Sequence, residues 1–460
     1  MSKKKSLIYK CSSCGNTQPR WLGRCPECNG WNTFEECLIS NGDPTHTGLG
    51  SSYDGNGNRI AQKPIPLSAV NPIEGERLKT GIEEFDRVLG GGAMKKSAIL
   101  IGGEPGIGKS TLLLQTASKI AHTTNRNILY VSGEESASQI RSRADRLNID
   151  CTKIQILCTS HLDDIENALN SLNPIFCIVD SIQTVYSSEA GIVPGTVNQL
   201  KYCANELISW VKEHDSVLFM VAHITKEGII AGPKSLEHMV DTVISFEKNN
   251  EDIRFLRSQK NRFGSIDELG IFSMQEKGLI PVENTSTMFI TQREGNLPAG
   301  IAIVPVFEGS RVFMVEIQAL TVPAKTTLSR VYSDKIDNAR VSRVAAVIEK
   351  CTGLKFSDQD IYINVAGGIR LTESAIDAAL MAALYSARTG IVFPKDTAVV
   401  GELSLAGEVR PVAKLKQRVK NAISLGFATI IAPENSEKDA ICTEVTVVND
   451  IKSMIKKLFG

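Results

Sequence analysis

From residue 97 onward, short apolar runs alternate with stretches whose apolar positions recur every three to four residues. The runs at 97–101, 127–131, 154–157, 175–179 and 217–222 predict strands, and the periodic stretches at 135–147, 161–172 and 197–212 predict helices. Apolar, β-branched strands that alternate with helices predict a mostly parallel sheet covered on both faces. A further strand is expected at 253–258. From about residue 286 the pattern changes. Strands at 301–306 and 312–319 precede a helix from Val341, a strand at 361–365 and an alanine-rich helix near 374–388. Residues 38–70, by contrast, are polar and rich in glycine and serine, which predicts a flexible linker. The chain therefore divides into a segment at 1–37, the linker at 38–70, an α/β domain at 71–285 and a second α/β domain at 286–460.

Composition adds exclusions. Hydrophobic residues make up 42% and charged residues 22% of the 460 positions, an ordinary globular balance that fits two or three domains. Lysine plus arginine equals aspartate plus glutamate, 51 of each. Any nucleic-acid surface must then be a local basic stripe. No apolar run approaches the roughly 18–20 residues that a membrane span needs. The basic start, Met1 to Tyr9, lacks the apolar core of a signal peptide, so a cytoplasmic protein without membrane contact is expected.

The chemistry concentrates after the first strand of the α/β domain. Gly103, Glu104, Pro105, Gly106, Ile107, Gly108, Lys109, Ser110 and Thr111 match G-x-x-x-x-G-K-[ST] between a strand and a helix. In that setting glycines let backbone N–H groups curl around phosphate oxygens. Lys109 reaches the terminal phosphates, and Ser110 can ligate magnesium. ATP and Mg2+ are the expected cofactors of a nucleotide triphosphatase. Asp180 ends a buried strand and suits the magnesium shell. Glu134 and Glu135 follow another strand, where one of them can orient the attacking water or both can serve as a solvated helix-start pair. His223 ends a third strand; it is either a sensor of the γ-phosphate or one more hydrogen-bonded histidine. Lys260 and Arg262, in the basic turn Lys260-Asn261-Arg262-Phe263-Gly264, can direct two cations the same way, onto a neighbour's nucleotide or onto DNA. A plain surface hairpin is the alternative.

Four of the eleven cysteines fall in two C-x-x-C pairs, Cys11 with Cys14 and Cys25 with Cys28. Two such pairs complete a tetrahedral Zn2+ site with no open position, hence a structural metal rather than a catalytic one. Metal binding of this kind supplies roughly 10–16 kcal/mol of folding energy. The scattered remainder argues against a disulfide framework. Cys177, inside an apolar strand, reads as a small buried hydrophobe.

Over nearly its whole length the chain resembles the bacterial RadA (Sms) DNA-repair proteins. The resemblance rests on the four-cysteine knuckle, the phosphate loop at 103–111 and the segments Val131 to Ser136, Val179 to Thr184 and Gly232 to Asp241. The pentapeptide Lys260 to Gly264 is its most specific element. It implies a RecA-like P-loop core that assembles as a hexameric ring, with Glu134 ahead of Glu135 as the catalytic carboxylate. It further implies a helicase-like motor on single-stranded and branched DNA, acting in recombination and repair alongside the RecA recombinase. Lys260 and Arg262 would couple ATP use to DNA.

The last domain resembles the peptidase domain of Lon-type proteases, in which a serine works with a lysine. Lys416 falls at the lysine position. Ala375 stands at the nucleophile in the preferred register, and a slip of one residue would place Ser374 there. Ser374 is also a good helix N-cap. A lysine without its nucleophile forms no acyl intermediate, so a scaffold for ring assembly is expected, with Arg370, Lys414, Lys416, Arg418 and Lys420 offered to DNA. The alternatives are an ATP-dependent protease and an assembly switch that acts without DNA.

Overall fold

The structure, a computed structural model, describes residues 76–460 apart from 192–195, 224–234, 249–251, 267, 283–286, 292, 325–328 and 435–444. Ahead of these it describes residues 66 and 68 and the backbone of five short strands. The chain forms two compact units, Met1–Pro72 and Ile73–Gly460. In the first, Leu7–Cys11 pairs antiparallel with both Thr17–Gln18 and Phe34–Leu38. Cys14, Cys25, Cys28 and the side chain of Cys11 lie outside the described residues, as does most of the linker at 38–70.

The second unit is built on a nine-stranded sheet. Its order is Ile154–Cys158, Ile128–Ser132, Phe176–Asp180, Val217–His223, Ser97–Gly103, Thr242–Lys248, Ile253–Asn261, Leu269–Gln275, Gly278–Pro281. The first six run parallel and the last three are added antiparallel. Successive strand side chains point to opposite faces, and Ser97–Gly103 shows the result. Ile99 and Ile101 join a core with Phe85, Leu113 and Ile120, while Ala98 and Leu100 join another with Ile165, Leu207 and Val211. Each such fully buried side chain contributes roughly 1.5–3 kcal/mol. Cys177 is 1% exposed, and burial pushes its thiol up to about 12.

The expected helices and strands are present within one or two residues at most ends. The helix expected at 135–147 runs Ala137–Arg146, because Ser136 caps it and Gln139 closes a reciprocal capping box. The strands Thr242–Lys248, Leu269–Gln275 and Gly278–Pro281 go beyond the sequence reading.

The C-terminal half adds a four-stranded sheet, in the order Ile301–Glu308, Arg311–Pro323, Gln359–Val365, Val331–Ser333, and a parallel three-stranded sheet, Thr397–Val399, Thr429–Ala432, Val445–Val447. Helices Asn338–Thr352 and Asp377–Thr389 cover the first of these. Its core is continuous with the edge of the nine-stranded sheet through Phe255, Leu269 and Ile271. Polar contacts reinforce the seam: Arg257 to Glu308 at 2.7 Å and Ser310 to Glu268 at 3.0 Å.

Two sequence expectations change here. Ser374 does not cap the helix; it opens a single 3-10 turn, Ser374–Ile376, and the α-helix starts at Asp377 with no side-chain cap. The steric demands of a turn that buries Ala375 and Ile376 outweigh the capping preference. Arg418 is not offered to DNA. It is 3% exposed, forks onto Glu373 at 2.5 and 2.8 Å, donates to the Pro305 carbonyl and lies over the Phe307 ring. Lys416 and Lys420 are exposed. Ala375, at the peptidase nucleophile position, is 3% exposed. Among the described residues no helix is long and apolar enough to cross a membrane.

Candidate nucleotide site

A cavity of about 510 Å³ opens at the carboxyl ends of the parallel strands. Its walls include Pro105, Gly106, Gly108, Lys109, Ser110 and Thr111, with Glu134, Asp180 and His223 facing them. Residues from four separate strand ends therefore meet, as open parallel sheets arrange their ligand crevices.

The loop geometry follows from its glycines. Gly108 has φ 117°, a backbone conformation that glycine adopts readily and other residues only with strain. Helix Lys109–Thr124 begins directly afterwards without a side-chain cap, so its first N–H groups face the cavity as anion donors. Ile107 turns away into the apolar core. Gly103 and Glu104 contribute carbonyls instead, which accept from the Lys109 ammonium at 2.7 and 3.0 Å. Lys109 is 4% exposed, and burial lowers its pKa against the opposing pull of Asp180, Glu134 and Glu104. A buried ammonium held by carbonyls and nearby carboxylates is suited to a polyanion.

Opposite the loop, Asp180 ends Phe176–Asp180 and is 9% exposed. Tyr130 donates to its Oδ2 at 2.7 Å. Glu134 accepts from the Ser181 hydroxyl at 2.5 Å and lies 3.3 Å from His223 Nε2. The other ring nitrogen of His223 is 3.4 Å from Lys109 Nζ, and its backbone N–H donates to Gln183. Glu135 is committed elsewhere, in a two-point pair with Arg143 at 2.5 and 2.8 Å. Both adjacent glutamates line the cavity but with different partners: Glu134 meets Ser181 and His223, whereas Glu135 is held by Arg143 of the following helix. Tyr130, Ser181, Gln183 and Arg143 escaped the sequence reading. Tyr130 left a signal, since a tyrosine amid buried apolar strand residues needs a partner for its hydroxyl.

The basic turn lies elsewhere in the unit. Lys260 Nζ donates to the carbonyls of Glu237, His238 and Val240, at 2.7, 3.3 and 2.7 Å, at the end of helix Ser235–Met239. Burial, then Arg262 beside it, lowers its pKa. Arg262 is 55% exposed along its side chain and lies 3.4 Å from Asp241, which Lys212 also binds. The two cations therefore do not point the same way.

Similar proteins carry these features. Across 95% of this chain and 94% of the relative, the sequence is 61% identical to the DNA repair protein RadA of Treponema pallidum. The chain belongs to the RadA family of DNA repair proteins. Identity is 45% with RadA of Bacillus subtilis, over 94% of this chain and 93% of that one. With RadA of Rickettsia typhi it is 42%, over 97% and 98%. Three family models match: the KaiC ATPase at 78–157, the rubredoxin metal-binding domain at 9–36 and subunit ChlI of Mg-chelatase at 315–436. A solved KaiC-like protein of Pyrococcus horikoshii covers 45% of this chain and 100% of its own, at 21% identity and a TM-score of 0.39. The fold class read from sequence is the one present: a RecA-like P-loop core, a matched metal-binding segment ahead of it and a Lon-protease-like α/β domain behind. As a RadA-family protein with a KaiC-type domain, the chain is a DNA-repair ATPase.

Proposed function

We propose that this ATPase is DNA-dependent and works as a helicase-like motor on single-stranded and branched DNA, as a hexameric ring alongside the RecA recombinase. The observation that carries the reading is that Glu134 touches His223 at the cavity, which joins the carboxylate to a residue beside the phosphate-loop lysine. On the same unit Arg262 keeps a largely exposed guanidinium, a cation suited to a phosphodiester.

In this reading the loop 103–111 and Lys109 bind the triphosphate, and Glu134 orients the attacking water. Ser110 and Asp180 fit magnesium, being a hydroxyl and a carboxylate that line the same cavity. Magnesium, when bound, neutralises charge on the phosphate oxygens. Glu134 holds a proton acceptor near the site, and Ser181 and His223 fix its orientation. The four thiols Cys11, Cys14, Cys25 and Cys28 fit Zn2+ by donor type and spacing, within the segment that matches a metal-binding domain. Arg262 and Lys260 act on DNA or on a neighbour's nucleotide.

ATP turnover with and without single-stranded DNA, paired with a mass measurement of the assembly, tests the proposal. DNA should raise turnover, and the mass should equal six chains. Turnover indifferent to every single-stranded and branched oligonucleotide would overturn the motor.

A further inference from the structure

Tyr130 is 1% exposed, lies in the middle of Ile128–Ser132 and sits beneath the nucleotide cavity rather than in its wall. Its hydroxyl reaches across to the neighbouring strand and donates to Asp180 Oδ2 at 2.7 Å.

We propose that Tyr130 is a positioning residue for the magnesium shell, an inference that rests on Ser110 and Asp180 being that shell. The physical argument is directional. The phenol donates a hydrogen bond to Asp180 Oδ2, which occupies one carboxylate oxygen and leaves the other for the metal or its water. The carboxylate is oriented by a group that touches neither metal nor nucleotide. Removing such a support typically weakens metal binding 10- to 100-fold. Ile178, which pairs with Tyr130 on the adjacent strand, and the apolar core that both join hold the ring in place, so loss of the hydroxyl alone leaves the packing intact.

The test uses the full chain with Tyr130→Phe, Ser110→Ala and Asp180→Asn. Two quantities are read: affinity for a fluorescent, non-hydrolysable ATP analogue in EDTA, and affinity of the analogue-bound protein for Mn2+ by electron paramagnetic resonance. Tyr130→Phe should leave the first within about twofold and weaken the second roughly tenfold or more. It should add far less in the Asp180→Asn background, because the two act as one unit. Equal losses in both readouts would mean a purely structural role and overturn the inference, as would additive penalties. If Ser110→Ala and Asp180→Asn weaken Mn2+ binding while Tyr130→Phe does not, the inference fails and the metal reading stands. If none of the three has an effect, the metal reading fails with it.

Discussion

Arg311 forks onto Glu84 across 227 positions of sequence, with Nη2 to Oε1 at 2.5 Å and Nη1 to Oε2 at 3.0 Å. Glu84 also accepts the Ile271 N–H at 3.0 Å. Its side chain is 6% exposed. The pair joins the helix ahead of the phosphate loop, a strand of the nine-stranded sheet and the first hairpin of the C-terminal half. Removing one partner of a buried pair leaves an uncompensated charge. Arg311→Ala should therefore cost roughly 3 kcal/mol in a denaturant titration, whereas Glu84→Gln combined with Arg311→Met, which keeps an acceptor for the Ile271 N–H, should cost less. Equal losses in the single and double variants would show that the ion pair is not what fastens the seam.

The two neighbouring glutamates separate by what each touches. Glu134→Gln should preserve nucleotide affinity and lower ATP turnover by a factor on the order of 10² to 10⁴, the usual share of a general base. Glu135→Gln should instead lose part of its pair with Arg143 and lower the melting temperature, with turnover reduced far less. The reverse pattern would exchange their roles.

Much of this architecture was legible because buried parallel strands write their pattern plainly. Five apolar runs gave five strands, and the phosphate loop announced its own backbone. The added strands Thr242–Lys248, Leu269–Gln275 and Gly278–Pro281 were less plain. They carry glutamate, lysine, serine or glycine among their apolar positions, and of their buried residues only Leu269 and Ile271 join the core shared with the C-terminal half. Arg418 was hidden as well: a sequence shows a basic residue in a basic helix, but only the fold brings Glu373 and the Pro305 carbonyl to it. Tyr130 signalled only that its hydroxyl needs a partner, and the fold alone names Asp180 on the next strand, just as it alone turns Arg143 back onto Glu135 ahead of its own helix. Glu134 could be ranked above Glu135 only by resemblance, and the surroundings of the two side chains now give a physical reason for the order.

Lys260 and Arg262 should part company as well. Lys260 satisfies three carbonyls that the end of a short helix leaves without partners. Lys260→Ala should reduce stability by about 1 kcal/mol and loosen helix Ser235–Met239, seen as faster amide exchange there. Arg262→Ala should leave stability nearly unchanged and flatten the salt dependence of DNA binding by about one phosphate contact. A salt slope identical to that of the parent protein would remove Arg262 from the DNA surface.

Asp377 gives the molecule a pH signature far from the nucleotide. It is 1% exposed, its Oδ1 has no hydrogen-bond partner among the described residues, and Arg340 approaches only to 3.8 Å. Burial raises its pKa, and the attraction of Arg340 does not cancel that. A carboxyl raised in the folded state binds its proton more tightly there than in the unfolded chain. Its contribution is fully present below the ordinary aspartate value and is lost as pH rises through the folded one. Asp377→Asn, which replaces the buried charge with a neutral amide, should consequently stabilise the protein at neutral pH by on the order of 1 kcal/mol. The gain should shrink as the pH falls and Asp377 takes up its proton in the parent protein. Melting curves of the two proteins from neutral to mildly acidic pH read this directly. A gain that grows toward acid would mean that Arg340 holds the carboxylate ionised, and that the apolar surroundings are not the deciding influence.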